Sequence, residues 1–503
     1  MAAETEDTYG QILKSTSIIG GASGINLIVT MLRIKSAAVL IGPVGVGLIG
    51  TYQAIQGMVG TFAGLGIQQS AVREIAEAVG RGDNDAIGRT ILSLRRMCLV
   101  TGLFGMMAMI AFAVPLSEFT FDSDMYSVHI ALLGPIILLA NIQGGQSALL
   151  QGMRRIGDIA RQSVVAAVLG TVVTVALYAW LGMQGIVPSL LLVAVINLVA
   201  TWYFARRVTV QRVEMTWKES FHSANNILRL GLVFMSNGVL MAVVAYLTRA
   251  WISQELDLIA VGIFTAAFSL SGMFINVILG AMGVDYYPRL TAASRDHTTM
   301  RKLVNEQTEI GLLISVPALL ATLTLTPWII RLFYSGEFLP AADLLQWFTL
   351  GCLGRVISWP LGFIMLALSK SRWLLISETM FNLIHLGLIW LGITLFGLEA
   401  VAFAFFLIYS IYIVAMYAVA KRLICFRWSR EMIHLLLATV PLTAIAFAAG
   451  RFLTLGPATG VGILLAALSA LFSLKGLISR LGVDSKFVQM GFLVPGVRWF
   501  CSR

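Results

Sequence analysis

Apolar runs of about twenty residues recur fourteen times between Ile12 and Leu477, and basic residues punctuate them. A run of that length matches the hydrocarbon thickness of a bilayer crossed by a helix. Lipid offers no partner to an open backbone, so each run must satisfy its own N–H and C=O groups. The runs are too long for barrel strands. The expected spans lie near 12–32, 37–64, 96–116, 126–150, 163–182, 185–205, 228–250, 258–284, 308–330, 344–368, 373–395, 398–420, 433–451 and 457–477. Composition agrees, with 58% apolar and 12% charged residues among 503. A disordered chain is poor in apolar residues, and a soluble enzyme could not hide this many in one core. The net charge of +10 therefore belongs to membrane topology, and no nucleic-acid partner is expected.

The basic residues set the orientation. With the amino terminus in the cytoplasm, 29 of the 35 lysines and arginines fall on the cytoplasmic side. The other six are Arg33, Lys35, Arg249, Arg331, Arg355 and Arg451. The positive-inside rule then predicts an even number of spans and cytoplasmic ends. The start, MAAETEDTYG, is acidic where a secretory leader would be basic. The connector at 65–95 holds a Gly-Asp-Asn turn and reads as an interfacial helix. No connector is long enough for a soluble domain.

The chain repeats itself at an offset of 215. Ile12-Leu13-Lys14 falls on Ile227-Leu228-Arg229, Gly47 on Gly262, Arg155 on Lys370, Gly182 on Gly397, and Arg206-Arg207 on Lys421-Arg422. Six spans per copy is an even number, so both copies face the same way. The expected fold is an all-α polytopic membrane protein with two pseudo-symmetric six-helix lobes, 1–220 and 221–425. Residues 426–503 add two transmembrane helices and a basic cytoplasmic tail. A substrate path between two such lobes, opened alternately to each side, predicts a transporter rather than an enzyme.

Charges at membrane depth tend to mark such a path. Arg33 and Lys35 end span one, and Arg249 ends span seven. Arg355 is 15 residues before Lys370, about 22 Å from the inner boundary. Glu378 is roughly 9 Å deep and His385 roughly 20 Å, which pairs His385 rather than Glu378 with Arg355. Arg33, Arg249 and Arg355 are candidate anion ligands, because a guanidinium fork grips phosphate oxygens. Lys35 reads as a side chain snorkelling to the interface. Asn26, Gln53, Gln56 and Asn237, with Tyr52 close by, are candidate glycan ligands, although any single amide serves equally as interhelical glue. Asn141, Gln143, Gln146 and Asn276 add to the same concentration of amides. Glu378 and His385 are candidate proton or coupling groups.

No catalytic or metal site is read. Asp83-Asn84-Asp85 and Asp122-Ser123-Asp124 sit in short connectors as turn residues. The five histidines lack ligand spacing, the four cysteines are scattered, and no P-loop occurs. No cofactor is expected.

The Gly42-Pro43-x-Gly45-x-Gly47-Leu48 turn after a basic helix end resembles the start of Wzx-type lipid-linked oligosaccharide flippases. These belong to the polysaccharide transporter family of the multidrug/oligosaccharidyl-lipid/polysaccharide superfamily. GLGIQQSAVREIAEA from Gly64, Tyr287-Pro288-Arg289-Leu290 and LALSKSRW from Leu366 are similar to that family's second-span exit, eighth-span exit and tenth-to-eleventh link. The likeness covers roughly 10–425 and is nearest to the branch serving enterobacterial common antigen or O-antigen. It implies flipping of an undecaprenyl-diphosphate-linked glycan to the periplasmic leaflet of a bacterial inner membrane. It also implies the lipid bilayer, a polysaccharide polymerase and a chain-length regulator as partners. Two rivals remain. A multidrug antiporter of the same superfamily would be helped by a carboxylate within spans one to six. A membrane glycosyltransferase or polymerase needs a large extracytoplasmic loop or a soluble domain.

Overall fold

The computed structural model describes residues 2–211 and 213–481, with side chains from residue 20 onward except at 226, 233, 234, 236, 237, 274, 284, 371, 479, 480 and 481. The described residues form helices and no strands. The first half contains α1 (Ala2–Gly64), α2 (Ile67–Arg81), α3 (Asn84–Ala111), α4 (Ala113–Phe121), α5 (Ser127–Ala131), α6 (Gly134–Gly152), α7 (Ile156–Leu181), α8 (Ile186–Ala205) and the short α9 (Trp217–Ser223). The second half contains α10 (Asn225–Glu255), α11 (Leu258–Ala292), α12 (His297–Phe333), α13 (Ala341–Ala367), α14 (Ser371–Phe396), α15 (Glu399–Ile424), α16 (Arg430–Phe452) and α17 (Leu455–Leu481).

Among the described residues, eleven helical stretches are long and apolar enough to cross a membrane. Two of them, Gly20–Gly64 and Ile156–Ala205, run for 45 and 50 residues, twice one crossing. Each is broken near its middle, at Gly42 in the first and at the Gly182–Gly185 turn in the second. Counting those two twice and adding α10, uncharged from Leu230 to Thr248, gives the fourteen crossings expected.

The first break differs from the sequence reading. The helix runs on through Arg33 and Lys35, and the chain bends at Gly42, with φ 62° and ψ −170°. Charged side chains do not stop a helix. Gly42 can adopt positive φ, and Pro43 can open a new helix without an N–H to offer. Arg33 therefore sits nine residues, roughly 13 Å, short of the bend rather than at the helix end.

The repeat is preserved in the backbone. An offset of 215 carries α7 (Ile156–Leu181) onto α14 (Ser371–Phe396) with identical bounds. It also carries the left-handed Arg154 (φ 53°) onto Ser369 (φ 55°), and Gly182 (φ 57°) onto Gly397 (φ 72°).

Helix α2 lies in the connector where an interfacial helix is expected, and it is amphipathic. Ile67, Ala71, Ile75 and Ala78 face inward, and Arg73 pairs with Glu77 on the exposed side at 2.8 Å. Gly82 ends it in the left-handed region, and the Asp83 carboxylate accepts from the Ala86 amide to start α3. Asp85 pairs with Arg89, and Ser123 caps the turn at Asp124. Both acidic triplets are thus turn and cap residues.

The helices gather into two compact units. One runs through Gly262 and takes in Phe333–Ser335; the other holds Ile263–Leu332 and the chain from Gly336 on. Helix α10 packs along α1 in the first unit, so packing divides the chain one helix later than the repeat does. The first unit is centred on Ile75, Ile91, Leu94, Met97, Leu149 and Leu150. In the second, Gly351 and Gly354 of α13 let Phe405 and Tyr409 of α15 approach closely. Helices α16 and α17 lie on α12, where Gly450 meets the Leu323 carbonyl and Gly462 meets Thr324. Arg451 completes that attachment, at 2.7 Å from Glu399 and 3.4 Å from Asp343.

Candidate functional site

In the first unit, polar side chains of α1 are drawn toward α7. Asn26 donates to the Ser163 hydroxyl at 2.5 Å. Arg33, half-buried, lies within electrostatic range of Tyr178, whose hydroxyl accepts from Ser189 of α8 at 3.2 Å. Lys35 donates to the Tyr334 carbonyl, so it is engaged with protein rather than merely snorkelling. The amide reading of Asn26 thus resolves partly as interhelical glue.

Gln53 is exposed and Gln56 half-buried on α1. Tyr52 is 2% exposed, stacked on His129 and edge-on to Phe121. Adjacent helical residues point about 100° apart, which separates Tyr52 from Gln53, whereas Gln56, four residues on, shares its helix face. Arg249, half-buried on α10, donates to the Ala245 carbonyl at 2.9 Å, one turn earlier. The side chain of Asn237 lies outside the described residues.

In the second unit the Tyr412 hydroxyl donates to Glu378 Oε1 at 2.7 Å. Tyr409, whose ring centroid is 6.2 Å from that of Tyr412, packs against Gly354, the neighbour of Arg355 on α13. No ion pair joins Arg355 to Glu378 among the described residues, in keeping with the different depths that residue counting gives them. His385 borders the same group through Phe405, at 6.1 Å. Its Nε2 is buried and has no hydrogen-bond partner among the described residues. Tyr409 and Tyr412 were missed in the sequence; their three-residue spacing on span twelve was the available signal.

Arg33 and Arg355 have no carboxylate within ion-pair distance among the described residues. A guanidinium held at membrane depth without a counter-ion is suited to receive an anion. The first unit thus presents Arg33 and the amides Gln53 and Gln56, and the second presents Arg355 on α13 and the Tyr412–Glu378 pair on α15 and α14. Cys98 and Cys352 are buried and Cys425 is an exposed free thiol; Cys501 lies outside the described residues.

The sequence model of the family described as polysaccharide biosynthesis protein matches residues 38–343. The chain belongs to this polysaccharide biosynthesis protein family. Within curated proteins it is similar to the lipid III flippases of Escherichia coli (strain K12) and Shigella flexneri. Each is 23% identical over 395 residues, covering 75% of this chain and 90% of the relative. In fold, the chain is similar to the lipid II flippase MurJ in an inward closed conformation. That match has a TM-score of 0.68 at 13% identity and covers 92% of this chain and 99% of the other. An inward-facing multidrug resistance MATE family transporter of the MOP superfamily matches with a TM-score of 0.63 at 17% identity, over 78% and 95% of the two chains. The two-lobe, all-helical polytopic fold expected of this polysaccharide biosynthesis protein is the fold these structures share.

Proposed function

We propose that this protein is a flippase that moves an undecaprenyl-diphosphate-linked oligosaccharide from the cytoplasmic to the periplasmic leaflet of a bacterial inner membrane by alternating access. The observation that carries this reading is the pair of membrane-depth guanidiniums, Arg33 and Arg355, each without a carboxylate partner among the described residues. Arg33, Arg249 and Arg355 bind the diphosphate. Gln53, Gln56 and Asn237 meet the glycan, with Asn26 at the edge of that surface. The polyprenyl tail stays in lipid. Glu378, held by Tyr412, and His385, two helical turns further along α14, are the coupling groups. Lobes 1–220 and 221–425 rock against each other, and both chain ends are cytoplasmic. A polysaccharide polymerase and a chain-length regulator act on the delivered product.

Similarity to lipid III flippases over most of their length supports the substrate class. The MATE fold likeness would equally suit a multidrug antiporter, but guanidiniums without counter-ions repel an organic cation. The deciding experiment follows the lipid-linked glycan of a deletion strain and assays its sidedness. Full-length glycan trapped on the cytoplasmic leaflet is the expected result. Normal sidedness with shortened or unpolymerised glycan would overturn it in favour of an enzyme, and an unchanged pool in favour of the antiporter.

A further inference from the structure

Gly47 and Gly262 are equivalent positions of the repeat, and in the folded protein they meet. A methyl group added to Gly47 would overlap the Leu258 carbonyl oxygen and stand 3.1 Å from the Gly262 nitrogen. A methyl group added to Gly262 would overlap the carbonyl oxygen of Pro43. Pro43 and Leu258 are also 215 positions apart. Each glycine therefore packs on the residue four places before the other, and those two residues are themselves repeat equivalents. Such a reciprocal contact is the signature of a two-fold axis passing through it. In a parallel repeat that axis runs along the membrane normal, through the path between the copies. Two helices crossing on the axis at van der Waals distance leave no opening at that level.

A second glycine approach makes the contrast. Gly66 meets the Gly231 carbonyl, and Gly231 meets the Leu65 carbonyl, but these positions are 165 apart. They are not equivalent, so that contact lies off the axis and is a seam rather than a closure.

We propose that the Gly47–Gly262 crossing is the periplasmic gate of the transport path, held shut by a backbone-on-backbone contact that glycine alone permits. The proposal rests on the flipping reading and its orientation. A side chain at either glycine penalises the closed gate and leaves the open one untouched, so the population shifts toward the open form.

Labelling tests it. Gln53 is exposed and lies six residues, about 9 Å, inward of Gly47. A full-length protein with its native cysteines replaced carries Gln53→Cys, and spheroplasts are treated with a membrane-impermeant maleimide. Labelling is normalised to membrane-inserted protein. The parent is expected to label slowly. Gly47→Ala and Gly262→Ala, each tested alone from opposite sides of the crossing, are expected to raise the rate severalfold. Gly57→Ala, where an added methyl meets nothing within 4 Å, should leave it unchanged. Equal rates in all four proteins, or fast labelling of the parent, would overturn the gate. The glycan-sidedness assay of the deletion strain involves neither glycine, so failure of the flipping reading shows there separately.

Discussion

Tyr412 places its hydroxyl 2.7 Å from Oε1 of Glu378, fixing a carboxylate of α14 against α15. The two partners have separable roles. A hydrogen bond to a charged group contributes about 1.5–3 kcal/mol, so Tyr412→Phe should lower stability by roughly that amount. Glu378→Gln keeps an acceptor for the tyrosine, so it should stay folded and lose gradient-driven flipping. Thermal unfolding in detergent and flipping in reconstituted vesicles read the two effects.

The three membrane-depth arginines should behave as a group. Arg33→Ala, Arg249→Ala and Arg355→Ala are each expected to insert normally and to reduce glycan export at least about tenfold, the scale of one lost charge-assisted contact. Arg355→Lys should recover only part, because an ammonium lacks the planar fork. Surface polysaccharide measured in a complemented deletion strain is the readout. Full activity of folded Arg249→Ala and Arg355→Ala would remove them from the site.

Two left-handed glycines that flank α2 should differ in what they tolerate. Gly66 (φ 63°) is pressed against the Gly231 carbonyl, while Gly82 (φ 67°) has nothing within 4 Å of an added methyl. Gly82→Ala carries only the conformational cost of about 1–2 kcal/mol. Gly66→Ala adds backbone overlap and should cost several kcal/mol. The amount of folded protein recovered from membranes should fall clearly for the second and little for the first.

The short helix α9 should loosen in acid. Thr216 and Glu219 form a reciprocal capping box, with the Thr216 amide donating to the Glu219 carboxylate at 2.8 Å. That backbone hydrogen bond, followed by the one involving the Thr216 side chain, holds the Glu219 carboxyl below its ordinary value. A depressed value means that the stabilising contribution is full at neutral pH and is lost as pH falls through the folded value. Amide exchange over 216–223, corrected for intrinsic rates, should accelerate below the usual carboxylate range. Glu219→Gln, which removes the titrating carboxylate, should abolish that dependence, whereas Thr216→Ala keeps the backbone donor and should leave most of it.

Span number, the amphipathic helix of the connector and the repeat were legible because lipid imposes one length and one periodicity on every crossing. The position of the first bend was less so. Arg33 and Lys35 looked like a helix end because they are charged, whereas the backbone freedom of Gly42 decided the matter. The grouping of polar residues was least legible. Depth counting assumes straight, parallel helices and ignores the reach of a tyrosine, so it gave no sign that the Tyr412 hydroxyl holds Glu378. Conversely, Tyr52 adjoins Gln53 in sequence and faces a different neighbourhood. Lys35 found the Tyr334 carbonyl 299 residues away, a partner that no local pattern announces.

The matching left-handed positions reach further than symmetry. From Arg154 to Gly182 is 28 residues, and from Ser369 to Gly397 is 28 as well. Whatever else has changed between the two copies, neither has kept a net insertion or deletion in that interval. One extra residue would turn everything beyond it by about 100° and carry inward-facing side chains out to lipid. An insertion of seven residues, close to two whole turns, is the shortest that returns each face near its place, and it lengthens the helix by about 10 Å. That exceeds what tilt can absorb in a bilayer about 30 Å thick. The length of these helices is therefore as strictly inherited as any side chain upon them.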